Sequence, residues 1–251
     1  MILEALDYAA SWPLTPAQFR PHIASSISLM ARAKRCREAW TPHEEMSKAH
    51  ILSRMEGLRQ RRTAVVLGSG LLRDVPIAAL AKAFDTVVLV DLVHLAHLRL
   101  GLVLKGLRNT RLIHRDLSGL DEALAGTVPE PLGFLRQVPY LDLVVSANLL
   151  SQIKVGAVDR LSREGRMDKA ASVVPTLIRA HLDGLAGLPC QRALVTDISY
   201  RLLDRAGEEL EEDDLLAGVA IPDHTSRWTW TVAPFGEASP DYQAVHQVIA
   251  G

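Results

Sequence analysis

Five short apolar runs rich in β-branched residues, with helical patterns between them, constrain this chain more than any other feature. Thr63-Ala64-Val65-Val66-Leu67 ends in Gly68, and Thr86-Val87-Val88-Leu89-Val90 ends in Asp91. Thr110-Arg111-Leu112-Ile113-His114 ends near Asp116, Leu141-Asp142-Leu143-Val144-Val145 ends in Ser146, and Ala193-Leu194-Val195-Thr196 ends in Asp197. Most are apolar throughout, which suits strands covered on both faces. Val75 to Phe84 and Leu95 to Leu107 carry helical periodicity between them. Alternation of this kind predicts an α/β fold with a mostly parallel sheet.

The ends of the chain read differently. Residues 1–60 contain no strand-like run and form a predicted helical cap; residues 61–251 form the main domain. Ile23, Ile27 and Met30 recur at helical spacing, followed by the basic run Arg32, Lys34, Arg35 and Arg37, read as a solvated helix face. Trp40-Thr41-Pro42 has the pattern of a helix start, with Met46, Leu52, Met55 and Leu58 as its inward face. Trp40 and His43 are expected either to close over a ligand or to pack against the sheet. Near the C-terminus, Arg227 to Val232 and Tyr242 to Ile249 predict an antiparallel strand pair at the sheet edge, and the acidic stretch Glu208 to Asp214 a helix or loop before it.

Composition narrows the function classes. The formal net charge of −1 gives no global attraction to nucleic acid or membrane. Cys36 and Cys190 cannot build a disulfide framework; one bridge or two thiols remain. The sequence lacks a signal-peptide pattern and a long uncharged apolar run, so a cytoplasmic protein is expected. His94 and His97 could share a helix face, but no Cys/His cluster completes a metal site.

The chemistry-bearing segment is Gly68-Ser69-Gly70 between a buried strand and a helix. Glycines permit a tight turn and close approach to a ligand, and a helix N-terminus offers free N–H groups. Asp91 ends the second strand 21 residues after Gly70, where an acidic residue can bind ribose hydroxyls. Asp116 is a candidate for an adenine amino group. Arg73 occupies the position where a dinucleotide fingerprint wants its third glycine, which disfavours NAD or FAD. No phosphate-loop G-x-x-x-x-G-K-[ST] occurs.

These residues resemble the class I S-adenosylmethionine-dependent methyltransferases over roughly residues 63 to 250. The resemblance rests on Gly68 and Gly70, Asp91, Asp116, the run Leu141 to Asn148, and the terminal strand pair. It implies a Rossmann-like sheet with a C-terminal antiparallel hairpin, S-adenosylmethionine as cofactor and methyl transfer to a small molecule. By the same resemblance Gly68, Ser69 and Gly70 hold the methionine part, Asp91 and Leu92 the ribose, and Asp116 and Leu117 flank the adenine, with Ser146 nearby. The chain departs from the family at Leu72, where a third glycine is frequent, and lacks an acidic residue at the end of the first strand. Asn148 is followed by Leu149 and Leu150, not by the Pro-Pro-aromatic sequence of enzymes that methylate nucleic-acid amino groups. Asn148, Ser146 and Tyr200 are the catalytic candidates, with Ser151, Gln152 and Asp197 as further substrate-orienting groups. A non-catalytic binding protein, and a transferase of the cofactor's aminocarboxypropyl group, share the same expected pocket. A homodimer through the last strand pair is also compatible with the sequence.

Overall fold

The computed structural model describes residues 2–251. Strands β1 (Thr63–Leu67), β2 (Thr86–Asp91), β3 (Thr110–His114), β4 (Leu141–Ala147) and β5 (Gln191–Asp204) are the five predicted runs. With β6 (Glu209–Asp214), β7 (Ser226–Ala233) and β8 (Tyr242–Ala250) they make one sheet in the order β3-β2-β1-β4-β5-β8-β7, with β6 paired to β5 off that path. The first five strands are mutually parallel. β8 runs antiparallel to both β5 and β7. The α/β class, the mostly parallel sheet and the antiparallel C-terminal strands are as expected.

Both faces of the sheet are covered. β1 shows why its sequence is apolar throughout: all five residues are buried, Ala64 and Val66 on one face and Val65 and Leu67 on the other. The first face packs α4 (Ile77–Ala83) and α5 (Ala96–Leu104), with Leu80 and Leu102 in its core. The second packs α7 (Leu150–Arg163) and α8 (Ala170–Ala186), with Ile153, Leu177 and Ile178 in its core. α6 (Leu120–Leu124) lies against α8. The chain builds outward from β1 through β2 to β3, then crosses back to β4. That reversal lies between β1 and β4, the position at whose C-terminal strand ends open α/β sheets bind ligands.

At the N-terminus, α1 (Ile2–Ser11) and α2 (Ile23–Arg35) pack over the loop after β2, with Ile23, Val93 and Leu95 at the centre of that contact. α3 (Arg37–Met55) lies on the sheet itself, against β5 and β7. It corrects two expectations. The helix starts at Arg37, so Thr41 is no cap; its hydroxyl donates back to Arg37 O at 2.8 Å, and Pro42 lies inside the helix. The inward face is Trp40, His43, Glu44, Ser47, His50, Ile51 and Met55, whereas Met46 and Leu52 are exposed. The polar residues on that face obey helical spacing, but a search for apolar periodicity passes over them.

The acidic stretch is a strand, not a helix or loop. β5 continues to Asp204 after β4 has ended at Ala147, which leaves its backbone groups without partners on that side. β6 supplies them, with Ser199 opposite Asp214 and Tyr200 opposite Asp213. Most of its side chains face solvent, so pairing needs no apolar alternation. Lys154 on α7 anchors it by donating to Asp213 and to Asp214 O. An acidic strand therefore continues the sheet beyond the end of β4.

Candidate functional site

The turn after β1 is fixed by β2. Gly68 N and Ser69 N donate to Val90 O at 3.0 and 3.3 Å, and Leu72 N donates to Ser69 O at 2.9 Å. Asp91 completes the clamp: Oδ2 accepts from Gly70 N and Oδ1 from Leu92 N, both at 2.7 Å. Gly68 has φ +70°, and a Cβ there would meet Ala147 O at 2.9 Å and Leu149 at 3.3 Å. Gly70 has φ +44°, and a Cβ there would meet nothing nearer than Gly68 O at 3.8 Å. Gly68 is thus needed for close packing against the β4–α7 loop, while Gly70 borders open space. The helix expected directly after the turn begins only at Ile77. Residues 70–76 are irregular, so the helix N-terminus does not adjoin the glycines.

Desolvation raises the Asp91 carboxyl above its ordinary pKa, against the backbone N–H groups of Gly70, Leu92 and Val93, which lower it. The residue nonetheless keeps some accessible surface. Ser69 in the same turn is buried, and its Oγ has no hydrogen-bond partner.

The other expected ligand residues scatter. Asp116 is exposed and accepts from Ser118 N at 2.8 Å, closing a local turn. Leu117 is buried in the core on the α7–α8 face, and Leu92 packs partly against the α2 contact. Ser146 is fully buried and pairs with His181 Nε2 of α8 at 2.9 Å. It therefore points into the core, on the face opposite α3. Buried His94 lies before α5, with Nε2 3.1 Å from Ile113 O, and exposed His97 pairs with Asp7, so the two share no helix face. Among the described residues, no group of three or more His, Cys, Asp or Glu could hold a metal ion. Both cysteines are free.

Asn148 and Tyr200 join a second, polar and aromatic cluster between α3 and the C-terminal ends of β4 and β5. His43 of α3 stacks on Trp230, with centroids 4.0 Å apart and planes at 7°. Trp228 Nε1 donates to His43 Nδ1 at 3.1 Å. Asn148, at φ +47°, places Nδ2 3.1 Å from His43 Nε2 and 2.6 Å from Asp74 Oδ2, while its Oδ1 has no partner. Burial lowers His43 to a pKa of about 4, so the ring is neutral at physiological pH. The indole N–H occupies Nδ1, so the single ring proton sits on Nε2 and faces the Asn148 amide. With the carboxamide turned over, Oδ1 accepts from His43 Nε2, and a bond to Asp74 then requires the protonated carboxyl. Desolvation already moves Asp74 that way, raising its pKa.

The cluster continues through Trp230 to His246 of β8, with ring centroids 5.8 Å apart. Asp197, two residues past the last β4–β5 pair, accepts from His246 Nδ1 at 2.7 Å. Tyr200 lies 5.9 Å from the His246 ring and donates its hydroxyl to Glu211 of β6. That bond and partial burial push the phenol up to about 12, so Tyr200 stays protonated. Beside the cluster, Arg73 is held by Glu44 of α3. The sequence singled out Asn148, Asp197, Tyr200 and His43, but not Asp74 or His246. Asp74 lies in an irregular segment and His246 on an alternating strand, and neither carries a local motif.

No protein-family model matches the chain, and no curated protein matches it. Solved structures do align with it loosely. A S-adenosylmethionine-dependent methyltransferase from Aquifex aeolicus is 11% identical, with a TM-score of 0.36 over 81% of this chain and 93% of that one. A precorrin-6y C5,15-methyltransferase from Geobacter metallireducens is 15% identical, with a TM-score of 0.29 over 81% and 85%. The O-methyltransferase TomG from Streptomyces achromogenes is 15% identical, with a TM-score of 0.30 over 88% of each chain. At these values the likeness says nothing of cofactor or substrate.

Proposed function

We propose that this chain is an S-adenosylmethionine-dependent methyltransferase acting on a small molecule. The observation that carries the reading is the Asp91 clamp: a desolvated carboxyl at the tip of β2 that holds a glycine turn at the sheet's switch point. A carboxylate has about four acceptor positions, so three backbone N–H partners leave capacity for a ribose hydroxyl. The space beside Gly70 and the unpartnered Ser69 Oγ also fit a nucleoside-linked amino acid. The turn itself supplies no N–H pair for a carboxylate, because Gly68 N and Ser69 N are spent on Val90 O. In this reading Asp91 and Leu92 hold the ribose and exposed Asp116 is the group for the base's amino group, while Leu117 stays in the α7–α8 core.

When bound, the cofactor supplies a methyl group on a positively charged sulfur. The protein's part is to align a nucleophile with that methyl, exclude water and take a proton where one must leave. Asn148 and its network lie at the end of β4, beside β1 and its glycine turn. The acidic β6 beyond β4 and the near-zero net charge oppose a polyphosphate acceptor.

A second reading, a binding protein on the same fold, draws on the inward commitment of the turn's N–H groups. Incubation with S-adenosylmethionine and a low-molecular-weight metabolite extract separates the cases by product. S-adenosylhomocysteine formation supports methyl transfer. Methylthioadenosine instead would mean aminocarboxypropyl transfer, and neither product with retained cofactor would favour the binding protein.

A further inference from the structure

We propose that His246, oriented by Asp197, is the proton acceptor of this site and that the acceptor substrate is an amine. The proposal rests on the methyl-transfer reading. Asp197 accepts at Oδ2 from His246 Nδ1 at 2.7 Å, and its side chain is 4% exposed. A carboxylate only accepts, so in the neutral form of His246 the single ring proton sits on Nδ1. Nε2 then carries a lone pair with no hydrogen-bond partner among the described residues, and the side chain remains 18% exposed. The buried histidines lack this combination, His50 among them, whose Nε2 lies 3.2 Å from Gly251 O. His43 is bound at both nitrogens by Trp228 and Asn148, and His181 faces Ser146 on the other side of the sheet. His94 lies against Ile113 O near β3.

The charges around His246 identify the substrate class. The groups facing it are Asp197 and Tyr200 on β5 and His43 on α3, with Glu211 and Asp213 of β6 reaching it through Tyr200. His43 is neutral, Asp213 is taken by Lys154, and the nearby cation Arg73 is neutralised by Glu44. Asp197 and Glu211 remain, and Oδ1 of Asp197 is buried with no donor. Aromatic walls from Trp230 and Tyr200 complete the surroundings. Negative charge beside aromatic faces attracts a cation. An ammonium group drawn there gives one proton to Nε2 of His246, which frees the nitrogen lone pair. That pair forms the bond to the donor methyl carbon, the carbon–sulfur bond breaks, and sulfur keeps its electron pair. The Asp197 carboxylate offsets the imidazolium.

Nitrogen-15 NMR of histidine-labelled full-length protein tests both halves, with His246→Gln identifying the resonances. His246 is expected as the Nδ1–H tautomer, and Asp197→Asn is expected to shift that tautomer balance. With S-adenosylhomocysteine present, phenethylamine should shift the His246 Nε2 resonance, and its hydroxyl isostere phenethyl alcohol should not. A Nε2–H tautomer overturns the proton-acceptor role. An equal response to the alcohol, or none to the amine, overturns the substrate class. The tautomer is read without any cofactor, and S-adenosylhomocysteine binding is scored separately, so failure of the methyltransferase reading is distinguishable.

Discussion

Gly68 and Gly70 share a turn, yet alanine should act differently at each. Both have positive φ, +70° and +44°, where a side chain costs roughly 1–2 kcal/mol. Alanine also stiffens the unfolded chain, which returns about 0.4–1 kcal/mol. Gly70→Ala meets open space, so its net cost is about 1 kcal/mol. Gly68→Ala adds a Cβ 2.9 Å from a backbone oxygen, Ala147 O, and 3.3 Å from the Leu149 side chain. Overpacking of this kind costs a further 1–3 kcal/mol, giving a total of about 3 kcal/mol. At about 2–4 °C per kcal/mol for a chain near this size, Tm should fall about 6–12 °C for Gly68→Ala and about 2–4 °C for Gly70→Ala. Thermal unfolding followed by circular dichroism reads both. Titration with S-adenosylhomocysteine should show the converse order, with Gly70→Ala losing affinity while folded. Equal Tm losses would refute the claim that the turn is pressed against the β4–α7 loop.

Three other outcomes follow from buried polar groups. His43, His94 and His181 are each held by burial at a pKa of about 4, below the ordinary 6.5. The unfolded chain binds more protons there, so stability falls as pH drops from about 6.5 toward 4, by about 2 kcal/mol per histidine at pH 5; a urea midpoint unchanged between pH 7 and 5 would contradict this. Asp74 has the opposite sign: its raised folded pKa means that it loses stability as pH rises above the unfolded value of 3.8. Asp74→Asn should therefore raise Tm at pH 8 more than at pH 4.5, and a pH-independent change would show that Asp74 is not held protonated. Ser146→Ala removes a buried partner of His181 and should cost about 1–3 kcal/mol in urea unfolding. Because Ser146 faces α8, the same variant should leave S-adenosylhomocysteine affinity within twofold by calorimetry.

Strands β1 to β4 were legible because burial on both faces demands apolar, β-branched residues, which stand out locally. β6 was not, since its partner is the overhang of β5 and its acidic side chains face solvent. α3 was misread at its start because Pro42 imitates a first-turn proline, and at its face because His43, Glu44, Ser47 and His50 turn inward. The glycine turn and Asp91 were legible as a pair, since one strand–turn unit and the next strand's end bring them together. The His43–Asn148–Asp74 and Asp197–His246 groupings join residues up to 105 positions apart. Only the fold reveals them, because each alone has an ordinary helix, loop or strand setting.

The central claim is that the Asp91-clamped turn binds a nucleoside cofactor. Calorimetric titration of ligand-stripped protein with S-adenosylhomocysteine, with NADH in parallel and Asp91→Ala and Asp91→Asn as controls, addresses it most directly. The account predicts saturable binding of S-adenosylhomocysteine, none of NADH, and loss of affinity in both variants while circular dichroism shows them folded. Absence of S-adenosylhomocysteine binding to the folded wild-type chain, or undiminished binding in both variants, would contradict it.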